Sequence, residues 1–188
     1  MKKLTKKSLD ELANSMSIIS DAEQMCYNGG TYVYNSAGTY LGYRGTGSDV
    51  VIASSLYATQ FDSISVADDQ TILNVLNTIA RGIGINGTIG LTHANDNRFA
   101  EMDSTTGKIS INAYSELLSS NNYYDYLSIL QHEKYHQMTI GYSTTWEQNE
   151  YQAFIHQIND SSFQNVSVFL RDYTIDNYNN LHNSQSYY

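Results

Sequence analysis

The sequence predicts an α+β fold on three observations. Tyr32 and Tyr34 alternate with Thr31 and Val33, a break follows at Asn35–Gly38 and the run resumes from Thr39 to Tyr43, which is a strand pattern. Residues 68–82 repeat their apolar side chains at helical spacing, and two longer helical patterns over 123–139 and 145–159 fill the C-terminal half. With 188 residues the chain fits one compact domain and can bury a core without covalent staples.

Residues 1–30 read differently from the rest. They open on MKKLTKK, place Leu4, Leu9, Leu12, Met16 and Ile19 at near-helical spacing, carry a Ser8–Glu11 capping box and end in Gly29-Gly30. The apolar core of a secretory signal peptide is absent from this stretch. The segment resembles a double-glycine leader, with Ile19 and Tyr27 as its apolar positions and Gly29-Gly30 as the cut. That resemblance implies processing by a peptidase-containing ABC exporter and a secreted, extracellular protein. The alternative is an N-terminal helix stopped by a glycine cap, in a chain that stays cytoplasmic.

The elements then follow in order. In the β-hairpin region, 31–55, strands at 31–34 and 39–43 flank the turn Asn35-Ser36-Ala37-Gly38, and a third strand covers 49–53. Within 68–82, Ile72, Val75, Leu76 and Ile79 fall on one helical face, after Asp68 and Asp69 and before Gly82. Short strands are expected near 89–93 and 98–102. A turn at 104–107 leads into Lys108–Asn112, where Ile109 and Ile111 alternate with polar residues. A short helix over 113–120 precedes the two long ones. Residues 176–188, rich in Asn, Ser and Tyr, read as a poorly ordered tail, so the folded domain is expected over 31–175.

Composition narrows the function classes. A formal charge of -9, with 10 Lys and Arg against 19 Asp and Glu, argues against a nucleic-acid partner or an anionic membrane surface. No apolar run approaches the roughly 20 residues that span a bilayer. Cys26 is the single cysteine, which excludes an intrachain disulfide and a multi-thiolate metal site. Charged residues make up 15% and tyrosine occurs 17 times, a surface chemistry that favours a protein facing the outside.

His132-Glu133-Lys134-Tyr135-His136 carries the chemistry. Residues four apart on a helix differ by about 40° in direction, so both imidazoles leave one face and can share a metal. Glu133 leaves about 100° from His132, too far round to ligate the same ion but able to reach a water beside it. No Gly or Pro interrupts the segment, and Tyr126, Leu127, Leu130, Tyr135 and Met138 can pack it. A catalytic zinc site needs a third protein ligand. Candidates lie on the next helix: Glu147, Glu150 one turn later, and His156.

Glu150-Tyr151-Gln152-Ala153 is similar to the E-x-x-A of the gluzincins, metallopeptidases whose H-E-x-x-H helix is followed by a glutamate-bearing one. The resemblance spans residues 68–160. It implies a zincin-like fold, a small mixed or antiparallel sheet packed on the active-site helix, with Zn2+ held by His132, His136 and Glu150. It further implies Glu133 as general base on a zinc-activated water, and a peptide or protein substrate. The spacing from His136 to Glu150 is short for that family. By the same resemblance Lys108–Asn112 is the expected substrate-pairing edge strand, and Tyr142 or His156, with His93, could stabilise the transition state. Two rival readings share the motif: a secreted toxin or bacteriocin-like effector, and a zincin-fold binding protein without turnover.

Overall fold

The computed structural model describes residues 31–185 apart from 45, 46, 57 and 143. Gly29 and Gly30, with the leader reading built on them, lie outside the described residues. What is described is a mixed α+β fold with two small sheets and five α-helices.

The first sheet has the order β2-β1-β3-β4, with β1 at Thr31–Tyr34, β2 at Tyr40–Arg44, β3 at Asp49–Ile52 and β4 at Asp62–Ser63. β1 and β2 form the expected antiparallel hairpin, and β3 returns parallel to β1 on its other side. The hairpin turn needs Gly38: at φ +77 it rests on the helix that follows, where an added Cβ would sit 2.2 Å from the Asn74 carbonyl oxygen. That helix, α1 (Asp69–Gly82), starts where the Asp68 side chain accepts a hydrogen bond from the Thr71 amide at 2.8 Å. It buries the predicted stripe Ile72, Val75, Leu76 and Ile79.

The second sheet contains β5 (Gly90–Thr92), β6 (Ala100–Met102) and β7 (Ile109–Asn112) in the order β5-β7-β6. β7 runs parallel to β5 and antiparallel to β6. This corrects one expectation. The strand within Lys108–Asn112 is the middle of its sheet, because Ile109 and Ile111 are buried in the core and neighbours take both its edges. The edge beside the long helices is β6.

α2 (Glu116–Ser120) leads into α3 (Tyr123–Met138), then α4 (Trp146–Asn159) and α5 (Val168–Gln185). The last helix corrects a second expectation, since the tail is helical as far as Gln185. Its polar sequence hides the reason. Leu170 and Thr174 are fully buried, the Tyr178 ring stacks on Tyr151 of α4 at 5.2 Å, and His182 Nδ1 lies 3.0 Å from the Tyr151 hydroxyl. Aromatic stacking from the neighbouring helix does the work that an apolar stripe would otherwise do. The main core joins α1, both sheets and α3 through Val50, Leu76, Ile109, Tyr126 and Leu130. No described helix is long and apolar enough to cross a membrane.

Candidate metal centre

α3 turns its inner face onto the core with Tyr126, Ile129 and Leu130, and the continuation of that face is His132 and Glu133. The two are only 8% and 6% exposed, so chemistry-bearing groups occupy positions where burial would otherwise select apolar ones. The helix ends at Thr139, and Gly141 at φ +85 lets the chain reverse. α4 begins with a reciprocal capping box between Thr145 and Gln148. α4 packs on α3 with Ala153 fully buried and the Phe154 ring 4.6 Å from that of His132, and Glu150 stands opposite the two histidines.

The ligand atoms converge. His132 Nε2 is 3.1 Å from His136 Nε2 and 3.3 Å from Glu150 Oε2, while His136 Nε2 is 3.1 Å from Glu150 Oε1. Donors placed tetrahedrally around an ion at zinc-ligand distances lie about 3.3 Å apart, so this spacing suits such an ion without rearrangement.

The opposite ring nitrogens are also engaged. His136 Nδ1 lies 2.7 Å from Asn149 Oδ1, and Asn149 Nδ2 donates to Thr139 Oγ1 at 3.2 Å. Thr139 Oγ1 itself donates to the Tyr135 carbonyl at 3.0 Å, so it accepts from Asn149 and leaves the amide oxygen facing the ring. His132 Nδ1 lies 3.2 Å from Gln157 Oε1, and Gln157 Nε2 donates to Ser128 Oγ at 2.9 Å. With Nδ1–H donated to an amide oxygen on each ring, both Nε2 atoms present lone pairs. In that tautomer two lone pairs and a carboxylate face one point and could hold a metal ion, while a proton on either Nε2 makes that nitrogen a donor to Glu150.

Charge pairing also ties the three groups together. Burial alone would raise the Glu150 pKa, but hydrogen bonds from His132 and His136 outweigh it and hold the carboxyl down at about 2. Burial would lower His136, yet the Glu150 carboxylate beside it raises it. Glu133 is raised, first by burial and against the pull of the two histidines. Among the described residues His132, His136 and Glu150 are the one group with metal-ligand character, and it is the set expected from the sequence.

The centre opens into a cavity of about 710 Å³, walled by α3, the α3–α4 loop, α4, α5 and β6. Glu133 lines it with the three ligands, and so does Tyr142, which is 68% exposed at the mouth. His156 does not line it. It lies on another face of α4, its ring 5.6 Å from Tyr135, because six residues from Glu150 is far from a whole number of turns. Glu147 is exposed and outside the cavity lining, and His93 pairs with Asp69 at 3.3 Å.

Sequence reading passed over Asn149, Gln157 and Tyr173. Gln157 stands seven residues after Glu150, two turns on the same face, so its place beneath the ligands could have been read from periodicity. Tyr173 lines the cavity from α5, close enough that burial, and then Glu150 and Glu133, raise its hydroxyl pKa. In comparison with known proteins, no family model, no curated protein and no solved structure matches this chain.

Proposed function

We propose that the chain is a zinc-dependent metallopeptidase with a zincin-like arrangement of its active-site helices. The observation that carries this reading is the convergence of His132, His136 and Glu150 at 3.1 to 3.3 Å, with an amide oxygen behind each imidazole. A bound Zn2+ would supply Lewis acidity, polarising a substrate carbonyl and acidifying a water.

The protein side of the reaction follows from position. Glu133 shares the cavity with the ligands and accepts a proton from the attacking water as its oxygen bonds to the carbonyl carbon. The C–N bond then breaks, and Glu133 returns that proton to the leaving amine. Gln157 and Asn149 hold the imidazoles in one tautomer throughout.

β6 supports a peptide as substrate. Phe99 O accepts from Asn112 N and Asp103 N donates to Lys108 O, so in this antiparallel ladder residues 99, 101 and 103 bond to β7. The N–H and C=O of Ala100 and Met102 therefore point off the open edge, and both residues line the cavity. An extended backbone can pair there.

The test is hydrolysis of a mixed peptide library by the zinc-loaded protein and by Glu133→Gln. Cleavage by the parent, lost by at least two orders of magnitude in a variant that keeps its zinc, is the expected result. A fully active Glu133→Gln protein would remove Glu133 from the mechanism.

A further inference from the structure

Three large apolar side chains stand in water at the mouth of the cavity. Ile140, Tyr142 and Trp146 are 42%, 68% and 68% exposed, and all three line it. Single exposed apolar residues are ordinary on a protein surface, but three within seven residues, from the α3–α4 turn to the first residue of α4 and at one opening, form a patch. The turn carrying them is held in place: the Tyr142 amide bonds to the Thr139 carbonyl at 3.0 Å, the Thr144 amide to the Tyr142 carbonyl at 3.0 Å, and the Thr145–Gln148 box fixes the start of α4.

Charge at the same opening points the same way. Arg98 is the one Lys or Arg lining the cavity, and it is committed to Asp96 at 2.7 Å and Glu101 at 2.6 Å. Glu101, Glu133 and Glu150 line the cavity as well. An acidic side chain entering it meets carboxylates and an arginine already paired, whereas an aromatic or large aliphatic one meets uncovered apolar surface.

We infer that the α3–α4 turn is the specificity element of the site, selecting peptide segments with an aromatic or large aliphatic side chain beside the scissile bond and rejecting acidic ones. The inference rests on the metal-centre reading above, and its test separates the two. Glycine, phenylalanine and aspartate hydroxamates share one zinc-directed group and differ only in side chain. Their affinities are measured on the zinc-loaded protein and on a Tyr142→Ser/Trp146→Ser variant, with zinc content determined for both.

Phenylalanine hydroxamate binds the parent about tenfold tighter than the glycine compound, and the aspartate compound binds most weakly. In the variant the phenylalanine advantage falls to within about twofold, while zinc content is unchanged. Equal binding of the glycine and phenylalanine compounds to the parent, or an undiminished preference in the variant, overturns the specificity role and leaves the metal centre standing. Zinc-loaded parent that binds none of the three overturns the specificity role and the open hydrolytic centre together. A parent that takes up no zinc removes the metal reading itself.

Discussion

The two ends of α3 show opposite ways of treating buried polar groups. At its start, Tyr123 stacks on Tyr32 of β1 at 3.7 Å and 10°, and the Tyr32 hydroxyl donates to the Tyr124 hydroxyl at 3.0 Å. Tyr34, Tyr40 and Tyr43 extend this cluster, with Tyr34 buried and Tyr40 and Tyr43 at its exposed rim. At its other end, His132 Nε2, His136 Nε2 and the Glu150 carboxylate crowd together at 3.1 to 3.3 Å, with the imidazoles as the donors to that carboxylate. The first end is locally complete and anchors the helix. The second gathers two imidazoles and a carboxylate that could hold a metal ion, which marks it as a candidate site rather than a joint.

That contrast predicts that function and stability separate along one helix. The largest effect is expected at Glu150. Glu150→Ala leaves two neutral ligands, and zinc affinity falls by at least 100-fold in a competition titration with a chromophoric chelator, with loss of peptide cleavage. A drop below tenfold would move the third ligand elsewhere.

Next come the groups behind the ligands. Gln157→Leu and Asn149→Leu should each weaken zinc binding about 10- to 100-fold in the same titration. Gln157→Glu, which keeps an acceptor toward His132 Nδ1, should restore most of that loss.

At the other end, Tyr32→Ala should lower unfolding stability by about 2 kcal/mol through lost ring burial and stacking, measured in urea. Zinc stoichiometry should not change. A Tyr32→Ala protein that keeps its stability but loses zinc would break the comparison.

The smallest effect is the pH dependence of the zinc-free protein. His136 is raised by its partner, so its contribution is complete below the unfolded value of about 6.5 and is lost as pH rises through the folded value. Glu150 is lowered to about 2, so its contribution is complete above the unfolded value of about 4.5 and is lost as pH falls toward the folded value. Between them they favour a stability maximum between about pH 4.5 and 6.5 in zinc-free thermal melts. Saturating zinc should extend stability to higher pH, since the ion replaces the proton on His136.

Much of this was legible in the sequence. The spacing of Ile72, Val75, Leu76 and Ile79 gave α1, and the four-residue interval between His132 and His136 put both rings on one face. Three things were hidden for physical reasons. Ile109 and Ile111 show only that their strand is half-apolar, and alternation of that kind does not distinguish an edge from a centre until the partners are known. The helix over 176–185 has too few apolar residues to announce itself, because the Tyr151 ring of α4, stacked on Tyr178 and His182, holds it. The wall behind the ligands also depends on tertiary packing. Gln157 repeats the face of Glu150 two turns on, but Asn149 is an ordinary polar residue until α3 lies against it.

The most direct test of the central claim is zinc per chain in the purified protein after loading at neutral pH and exhaustive dialysis, beside His136→Ala. The account predicts close to one zinc in the parent and little in the variant. No zinc in the parent, or equal zinc in both, would contradict it and leave the convergence of His132, His136 and Glu150 without a cation to explain it.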